Sequence, residues 1–433
     1  MKNFFFLSLF LLPHFVQAQS GMTLDECIRL AWKQNPSVRN SVIDIKEARA
    51  DYMAAVGAFL PRAAVNAETG KRFGRSIDPD TNGYTNETFE EGTVGLDMTL
   101  SLFEGFSRIH QVRFRKMNKE RSEWALKNRQ NELAYQVTDA YYKLILERKL
   151  LDLALEQSRL SERYLKQTEV FVELGLKSAS DLQEVKARRE GDIYRYQSRE
   201  NSSRIALLHL KQLMNIQPGD TLAILDTITA SQLPPYSVST VETLYAQSIE
   251  ILPSIRMIDL KQKAAHKEYA IAGGAFSPSV FARFTVGSNY YNTAFSARQL
   301  RDNIGKYVGV GISFPLLSGL QRLTNQRKLK LNMYRLKNEE ELEKQQLYTD
   351  IEQTLLSLHT GYSEHQQALS QLDAETLVLK ESERKWEEGL ISVFQLMEAR
   401  NRFIAAKAEL VRVRLQIEMM MKLEKYYRQG TFL

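Results

Sequence analysis

One cysteine, ten prolines and, past the N-terminus, no run of 18 apolar residues set the first limits on this 433-residue chain. With Cys27 alone, no intrachain disulfide can form. Leu24-Asp25-Glu26 lacks the small residues that precede a lipoprotein acceptor, so Cys27 reads as a buried apolar position of the first helix. The six histidines show no metal-ligand spacing: His359 and His365 lie six apart and fall on different helix faces. No nucleophile–base pair or phosphate loop is visible, and neither enzyme nor cofactor is expected. Met419-Met420-Met421 could suggest a soft-metal site, but a helix spreads the three over different faces, as core filling does. Nor is there a block of one charge sign large enough for a nucleic-acid surface. The net charge is only +6, and acids such as Glu339-Glu340-Glu341 stand beside Lys337 and Lys344.

The first 18 residues read as a secretory signal. Lys2 supplies the basic start, Phe4 to Leu12 the apolar core, and Val16-Gln17-Ala18 the small residues before cleavage. That apolar core is shorter than the roughly 20 residues a membrane-spanning helix needs. The mature chain is therefore expected to be exported without a transmembrane helix.

What the chain does have is length without interruption. Between Gly105 and Gly175 there is neither Gly nor Pro, and Gly319 to Gly389 repeats the same spacing of 70. At about 1.5 Å per residue, each stretch predicts a helix of roughly 100 Å. The two openings, Phe103-Glu104-Gly105-Phe106-Ser107-Arg108 and Leu317-Ser318-Gly319-Leu320-Gln321-Arg322, echo one another. So do the endings, Glu173-Leu174-Gly175-Leu176 and Glu387-Glu388-Gly389-Leu390. Further upstream, Asn35-Pro36-Ser37-Val38-Arg39 returns as Leu252-Pro253-Ser254-Ile255-Arg256, and Gly57-Ala58-Phe59-Leu60-Pro61 as Gly274-Ala275-Phe276-Ser277-Pro278. The chain is a duplication. Its expected parts are a signal at 1–18, a first repeat at 19–214, an irregular connector at 215–240 and a second repeat at 241–433. Each repeat reads helix, strand, loop, strand, very long helix, shorter helix.

The strands show period two. Val94, Leu96, Met98, Leu100 and Leu102 alternate with Thr93, Gly95, Asp97, Thr99 and Ser101. A weaker partner runs through Ala63, Val65, Ala67 and Thr69. In the second half Val280, Ala282, Phe284 and Val286 oppose Arg283 and Thr285, and Val308, Val310, Ile312 and Phe314 oppose Gly309, Gly311 and Ser313. Strands of about 9–11 residues with an apolar outer and a small or polar inner face suit a membrane barrel. A soluble sheet with one wet face shares the alternation. The polar loops, with aromatic tips at Tyr290-Tyr291, favour the membrane. Val94, Leu96, Met98, Leu100, Val308, Val310 and Ile312 are then the lipid-facing positions. Four strands cannot close a barrel, so the chain must oligomerise: three copies would give twelve strands and a water-filled bore, two would give eight and a filled one. Along the first long helix Leu133, Val137, Ala140, Leu144, Leu151 and Ala154, continuing at Leu165 and Val172, predict a coiled-coil seam.

These parts together resemble the TolC-type outer-membrane factors over essentially the whole mature chain. The most specific pieces are Gly175-Leu176 followed by Asp181-Leu182 and Glu184, and Gly389-Leu390 followed by Gln395-Leu396 and Glu398-Ala399. The resemblance implies a mainly α fold with a small membrane β part: a homotrimer whose 12-stranded β-barrel in the bacterial outer membrane continues as a 12-helix α-barrel through the periplasm. It implies a passive exit duct for a tripartite efflux pump or a type I secretion system. Partners would be a periplasmic adaptor protein, an inner-membrane transporter reached through it, and outer-membrane lipid, with no nucleic acid. It places adaptor docking at Leu174, Gly175, Leu176, Glu388, Gly389 and Leu390. It places a periplasmic gate at Asp181, Glu184, Gln395 and Glu398, where Gln395 and Glu398 depart from the family's pair of aspartates. A periplasmic coiled-coil scaffold or adhesin without a pore is the competing expectation.

Overall fold

The computed structural model describes residues 21–433, apart from 79, 80, 227, 229–231, 234, 236–238 and 293. The expected signal at 1–18 lies outside the described residues. In chain order the elements are α1 (Leu24–Gln34), α2 (Pro36–Gly57), β1 (Arg62–Arg72), β2 (Ser76–Ile77), β3 (Tyr84–Thr85), β4 (Phe89–Glu104), α3 (Ser107–Glu173) and α4 (Ala179–Leu213). The second half supplies α5 (Val241–Ile251), α6 (Pro253–Gly274), β5 (Ser279–Asn292), α7 (Ala297–Asp302), β6 (Gly305–Ser313), α8 (Gln321–Glu387) and α9 (Val393–Gln429). The expected order of each repeat is present, and α3 and α8 are both 67 residues long. Two small features inside the loops had no sequence signal: the β2–β3 ribbon and the single-turn α7.

The chain packs into two compact units that cut across the repeats. The first contains the described residues up to Arg39, Gln130–Leu244 and Ile351–Leu433; the second contains Asn40–Arg129 and Tyr245–Asp350.

In the first unit, Thr23 opens α1 with a capping box. Its backbone N–H donates to Glu26 Oε2 (2.7 Å), and Glu26 N–H donates back to Thr23 Oγ1 (3.4 Å). Leu24, Cys27, Ile28 and Ala31 then fall on one buried stripe at helical spacing. Pro36 ends α1 and occupies the first position of α2, where its missing N–H costs nothing; Pro253 does the same for α6. The connector is tied back to the chain start by a parallel bridge between Met22 and Ile224, and Tyr141 Oη donates to Leu225 O. At the far end of the sequence, Gly430 ends α9 in the left-handed region, and its carbonyl accepts from Asn131 Nδ2 (2.9 Å).

The seam on α3 follows the expected residues only as far as Leu144. Leu133, Val137, Ala140 and Leu144 are buried, but beyond them the buried positions are Ile145, Leu153, Gln157, Ser161, Tyr164 and Thr168. Leu151, Ala154, Leu165 and Val172 are only half-buried. The buried series Leu133, Val137, Ala140 and Leu144 has heptad spacing, then breaks, and resumes at Leu153, Gln157, Ser161, Tyr164 and Thr168 with spacings of 4, 4, 3 and 4, so its register slips by two residues from the expected Leu151 to Leu153. A strict heptad reading carried on from Leu144 misses that slip.

The second unit holds a four-stranded antiparallel sheet in the order β1-β4-β5-β6. The central strands β4 and β5 have 16 and 14 residues, longer than the expected 9–11. β4 outruns β1 at its Glu104 end, and β5 outruns β6 at its Asn292 end, where aromatic residues cover the sheet. Phe89 stacks on Tyr291 with centroids 4.8 Å apart, and Tyr290 covers Gly92. Tyr290 and Tyr291 therefore belong to the strand and not, as expected, to an exposed loop tip; Tyr290 is buried. The register shifts between Ser101 and Phe103, leaving Leu102 unpaired and setting Phe103 opposite Val280. The bulge thus removes Leu102 from the outward series and hands its place to Phe103.

Where each sheet strand turns into a long helix, the backbone is left-handed for two residues. Gly105 (φ 57°) and Phe106 (φ 63°) precede α3, and Gly319 (φ 56°) and Leu320 (φ 65°) precede α8. Gly accepts this geometry, whereas a bulky side chain there costs about 1–2 kcal/mol.

Cys27 is fully buried, and desolvation pushes its thiol up to about 12. At pH 8 the native protein is expected to resist maleimide labelling, with one thiol appearing only on unfolding in guanidinium. Rapid labelling of the native protein would place Cys27 outside the core.

Candidate functional site

The sheet separates its residues by face as the alternation requires. Met98, Phe284 and Val308 are aligned across three strands, as are Leu100, Ala282 and Val310, while Ile312 lies across from Val280 and Phe103. Leu96 pairs with Val65 and Val286, and Val94 with Ala67 and Ser288. All seven positions read as lipid-facing thus share one apolar face. Val308, Val310 and Ile312 are more than 60 % exposed, on a strand with no partner along its outer edge.

The opposite face centres on Asp97. Its carboxylate accepts from Arg283 Nη2 (3.1 Å) and Asn66 Nδ2 (3.3 Å). Thr285, Phe281, Tyr307, Gly309 and Gly311 complete the same concavity. The two aromatic side chains were not among the expected site residues, although period two already puts Phe281 with Arg283 and Tyr307 with Gly309. Phe281 lies flat over Gly311, where an added Cβ would sit 2.4 Å from the ring. The glycine therefore admits the ring.

The two helix tips are built alike. Gly175 (φ 71°) and Gly389 (φ 76°) are left-handed. Gly175 N–H donates to Val172 O (3.0 Å) and Leu176 N–H to Phe171 O (2.8 Å); Gly389 N–H donates to Trp386 O (3.0 Å) and Leu390 N–H to Lys385 O (2.8 Å). Both are Schellman endings, which satisfy the last carbonyls of α3 and α8. The turn leaves Leu174, Leu176 and Leu390 about two-thirds exposed, and Glu388 is exposed as well.

Three residues past each tip glycine a capping box opens the next helix. Ser178 N–H donates to Asp181 Oδ2 (2.9 Å), and Asp181 N–H donates to Ser178 Oγ (3.1 Å). Ser392 N–H donates to Gln395 Oε1 (3.0 Å), and Gln395 N–H to Ser392 Oγ (3.3 Å). Asp181 and Gln395 therefore act locally, satisfying backbone groups at a helix start. Both caps are legible in the sequence as Ser-x-x-Asp and Ser-x-x-Gln, a signal that the gate reading of the same residues left out. Glu184 and Glu398 follow one turn later on the same faces, both exposed. Glu398 pairs with Arg402 (3.2 Å), which also meets Glu375 (3.4 Å). Being half-exposed, this pair is weak and leaves the Glu398 charge largely available.

Behind the tips, α3, α4, α8 and α9 share a core of Tyr164, Val185, Leu379, Trp386, Val393, Leu396 and Met397. Tyr164 meets Trp386 edge to face at 5.0 Å. Arg400, 6 % exposed, donates to Tyr164 Oη (3.2 Å). Nothing in the local spacing marked Tyr164, Trp386 and Arg400 as neighbours, because they come from three different helices.

Among the described residues no helix is long and apolar enough to cross a membrane. The fold is that of outer-membrane channels. The chain superposes on the Campylobacter jejuni CmeC outer membrane channel with a TM-score of 0.83 at 15 % identity, covering 94 % of this chain and 85 % of that one. The outer membrane protein VceC from Vibrio cholerae matches at 0.79 and 15 % identity, with 95 % and 97 % covered. The open state of the Neisseria gonorrhoeae MtrE outer membrane channel matches at 0.74 and 18 % identity, with 95 % and 89 % covered. No curated protein sequence matches. The outer membrane efflux protein family model matches residues 27–215 and 244–419, and the chain belongs to that family.

The two caps differ in one titratable atom, and this gives a pH test. Hydrogen bonds from Ser178 hold the Asp181 carboxyl below its ordinary value of 3.8. A lowered value means the cap is fully present above pH 3.8 and is lost as pH falls through the folded value. Gln395 does not titrate. Hydrogen exchange should therefore rise at 176–184 relative to 390–398 as pH drops below about 4. Ser178→Ala and Ser392→Ala should each cost about 1 kcal/mol locally. Equal acid responses at the two tips would remove Asp181 from the cap.

Proposed function

We propose that the protein is the outer-membrane exit duct of a tripartite efflux pump or a type I secretion system, a passive conduit and not an enzyme. The observation that carries this is the sheet: four strands with one apolar face, one polar face and two unpaired edges. In lipid each unpaired backbone group costs several kcal/mol, so the edges must meet other copies. Because the strands alternate in direction, β6 of one copy can continue antiparallel into β1 of the next. Three copies give a 12-stranded β-barrel wide enough for water, with Asp97, Arg283 and Thr285 lining the bore and Leu96, Leu100 and Val310 meeting lipid. The repeats at 19–214 and 241–433, joined by the connector at 215–240 and following removal of 1–18, each give two strands to it. The paired long and shorter helices, α3 with α4 and α8 with α9, would supply a 12-helix α-barrel in the periplasm. Membership of the efflux family supports this reading over a scaffold without a pore.

The tips are the proposed docking surface for a periplasmic adaptor, which would link the duct to an inner-membrane transporter. Leu174, Leu176 and Leu390 are large, apolar and exposed beside rigid glycine turns, while Gly175, Glu388 and Gly389 shape the same surface. Lys substitution at Leu176 and Leu390 leaves the turn intact, because the glycines carry the strained backbone. Trimer yield is expected to be unchanged and export lost; retained export would remove docking from these residues. The proposed gate gathers Asp181, Glu184, Gln395 and Glu398 around the axis, with Glu184 and the Arg402-paired Glu398 as its exposed carboxylates and Asp181 and Gln395 holding the helix starts.

Planar-bilayer recording of the purified assembly tests the duct. Discrete conductance steps are expected, with Glu398→Ala reducing cation selectivity and block by trivalent cations, and Gln395→Asp increasing both. Absence of any conductance would refute the duct, whereas unchanged selectivity in both variants would move the gate elsewhere.

A further inference from the structure

The junction between the sheet and the long helices holds an apolar group that its own backbone disfavours. Phe106 and Leu320 are left-handed, yet 61 % and 69 % exposed. Asn or Gly would occupy such a position without strain. Both repeats nevertheless place a large apolar side chain there, and burial within the chain does not account for it. Phe106 meets Phe103 edge to face at 5.2 Å, and Phe103 is aligned with Val280 on the apolar face of the sheet. Phe106 therefore prolongs that face to its base. In the second repeat Leu316 and Leu317, 88 % and 95 % exposed, precede the same turn.

The charge pattern points the same way independently. The starts of α3 and α8 contain bases and no acids. Arg108, Arg113, Arg115, Lys116 and Lys119 come before Glu120, the first acid of α3. Arg322, Arg327, Lys328, Lys330, Arg335 and Lys337 come before Glu339, the first acid of α8. A helix N-terminus carries partial positive charge and favours acids, so this pattern works against the helix itself. Some of these bases are answered within the protein: Arg108 by Glu104 and Arg115 by Asp51. Arg113, Arg327, Lys328 and Lys330 are exposed and have no carboxylate partner among the described residues. Measured along the helix, Arg113 and Arg327 each stand about 10 Å beyond the strained apolar residue. That lies a few ångströms beyond a lipid headgroup layer of about 5–8 Å on each side of the hydrocarbon, a gap that long Arg and Lys side chains can span by reaching back to the phosphates.

We infer that this junction is a membrane-surface collar: Phe106 and Leu320, with Leu316 and Leu317, enter the acyl boundary, and Arg113, Arg327, Lys328 and Lys330 bind the phosphates of anionic phospholipid in the same leaflet. The inference rests on the sheet spanning a bilayer. It goes further by fixing where the bilayer ends and which lipid class holds it there. Apolar insertion beside basic residues is the combination that binds anionic membrane surfaces. Strain at Phe106 and Leu320 is tolerated because the side chain is buried in lipid, not in protein.

Nitroxide labels on the full assembly in phosphatidylcholine vesicles, with and without phosphatidylglycerol, provide the test. Cys27 is buried and stays unlabelled. Phe106→Cys and Leu320→Cys should be more accessible to oxygen than to a water-soluble nickel chelate. Leu100→Cys serves as the deep control and Lys166→Cys as the aqueous one. If 106 and 320 respond like 166 while 100 remains in lipid, the collar is wrong and the barrel stands. If 100 also responds like 166, the membrane reading itself has failed. The double variant Phe106→Asn, Leu320→Asn suits the left-handed backbone. It should keep or raise detergent stability while lowering vesicle insertion several-fold; loss of the fold, or unchanged insertion, would make these residues structural only. Replacing Arg113, Arg327, Lys328 and Lys330 together by Gln should abolish the gain in insertion that phosphatidylglycerol confers. A gain that persists would overturn the headgroup contact.

Discussion

An open sheet edge is the constraint on which the rest depends. The strands β1 and β6 each leave a row of backbone donors and acceptors without a neighbouring strand among the described residues. In water such an edge invites aggregation, and in hydrocarbon it is not tolerated. Closure by further copies, as proposed, would answer both problems and make a bore at the same time. The alternation of the strands puts Leu96, Leu100 and Val310 on one face of the sheet and Asp97 and Arg283 on the other. Neither face makes sense for a sheet that stays solitary.

The helices continue the same economy by duplication. A 67-residue helix appears twice, and each ends in the same Schellman turn followed by the same serine cap. Two copies of one design differ mainly where polar chemistry is concerned: Asp181 against Gln395, and Glu184 free against Glu398 beside Arg402. Rigid turns with exposed leucines make the surface proposed for docking. The Tyr164–Trp386–Arg400 core lies directly behind that surface and joins three helices, so it holds the tips to one another.

Much of this is legible in the sequence because it is local or periodic. Uninterrupted length marks α3 and the repeated glycine spacing marks α8, period two separates both sheet faces, and paired glycines mark the tips. The repeat dictates the order of elements. What escapes depends on geometry that spacing does not encode. A heptad template cannot anticipate the slip of the buried series between Leu144 and Leu153, and a bulge moves the outward position from Leu102 to Phe103. Tyr290 and Tyr291 look like a loop tip because their partner, Phe89, is some 200 residues away. The capping roles of Ser178 and Ser392 are visible as short motifs, but Asp181 and Gln395 fit a gate equally well, and spacing alone does not choose. The strained Phe106 and Leu320 cannot be read at all without backbone angles.

The number of copies in the detergent-extracted assembly bears most directly on the closed barrel. Native mass spectrometry of the mature protein is expected to give a mass of three chains that survives mild activation, since separating them would expose two backbone edges per copy. A stable monomer with the sheet intact would contradict closure by oligomerisation, and with it the duct.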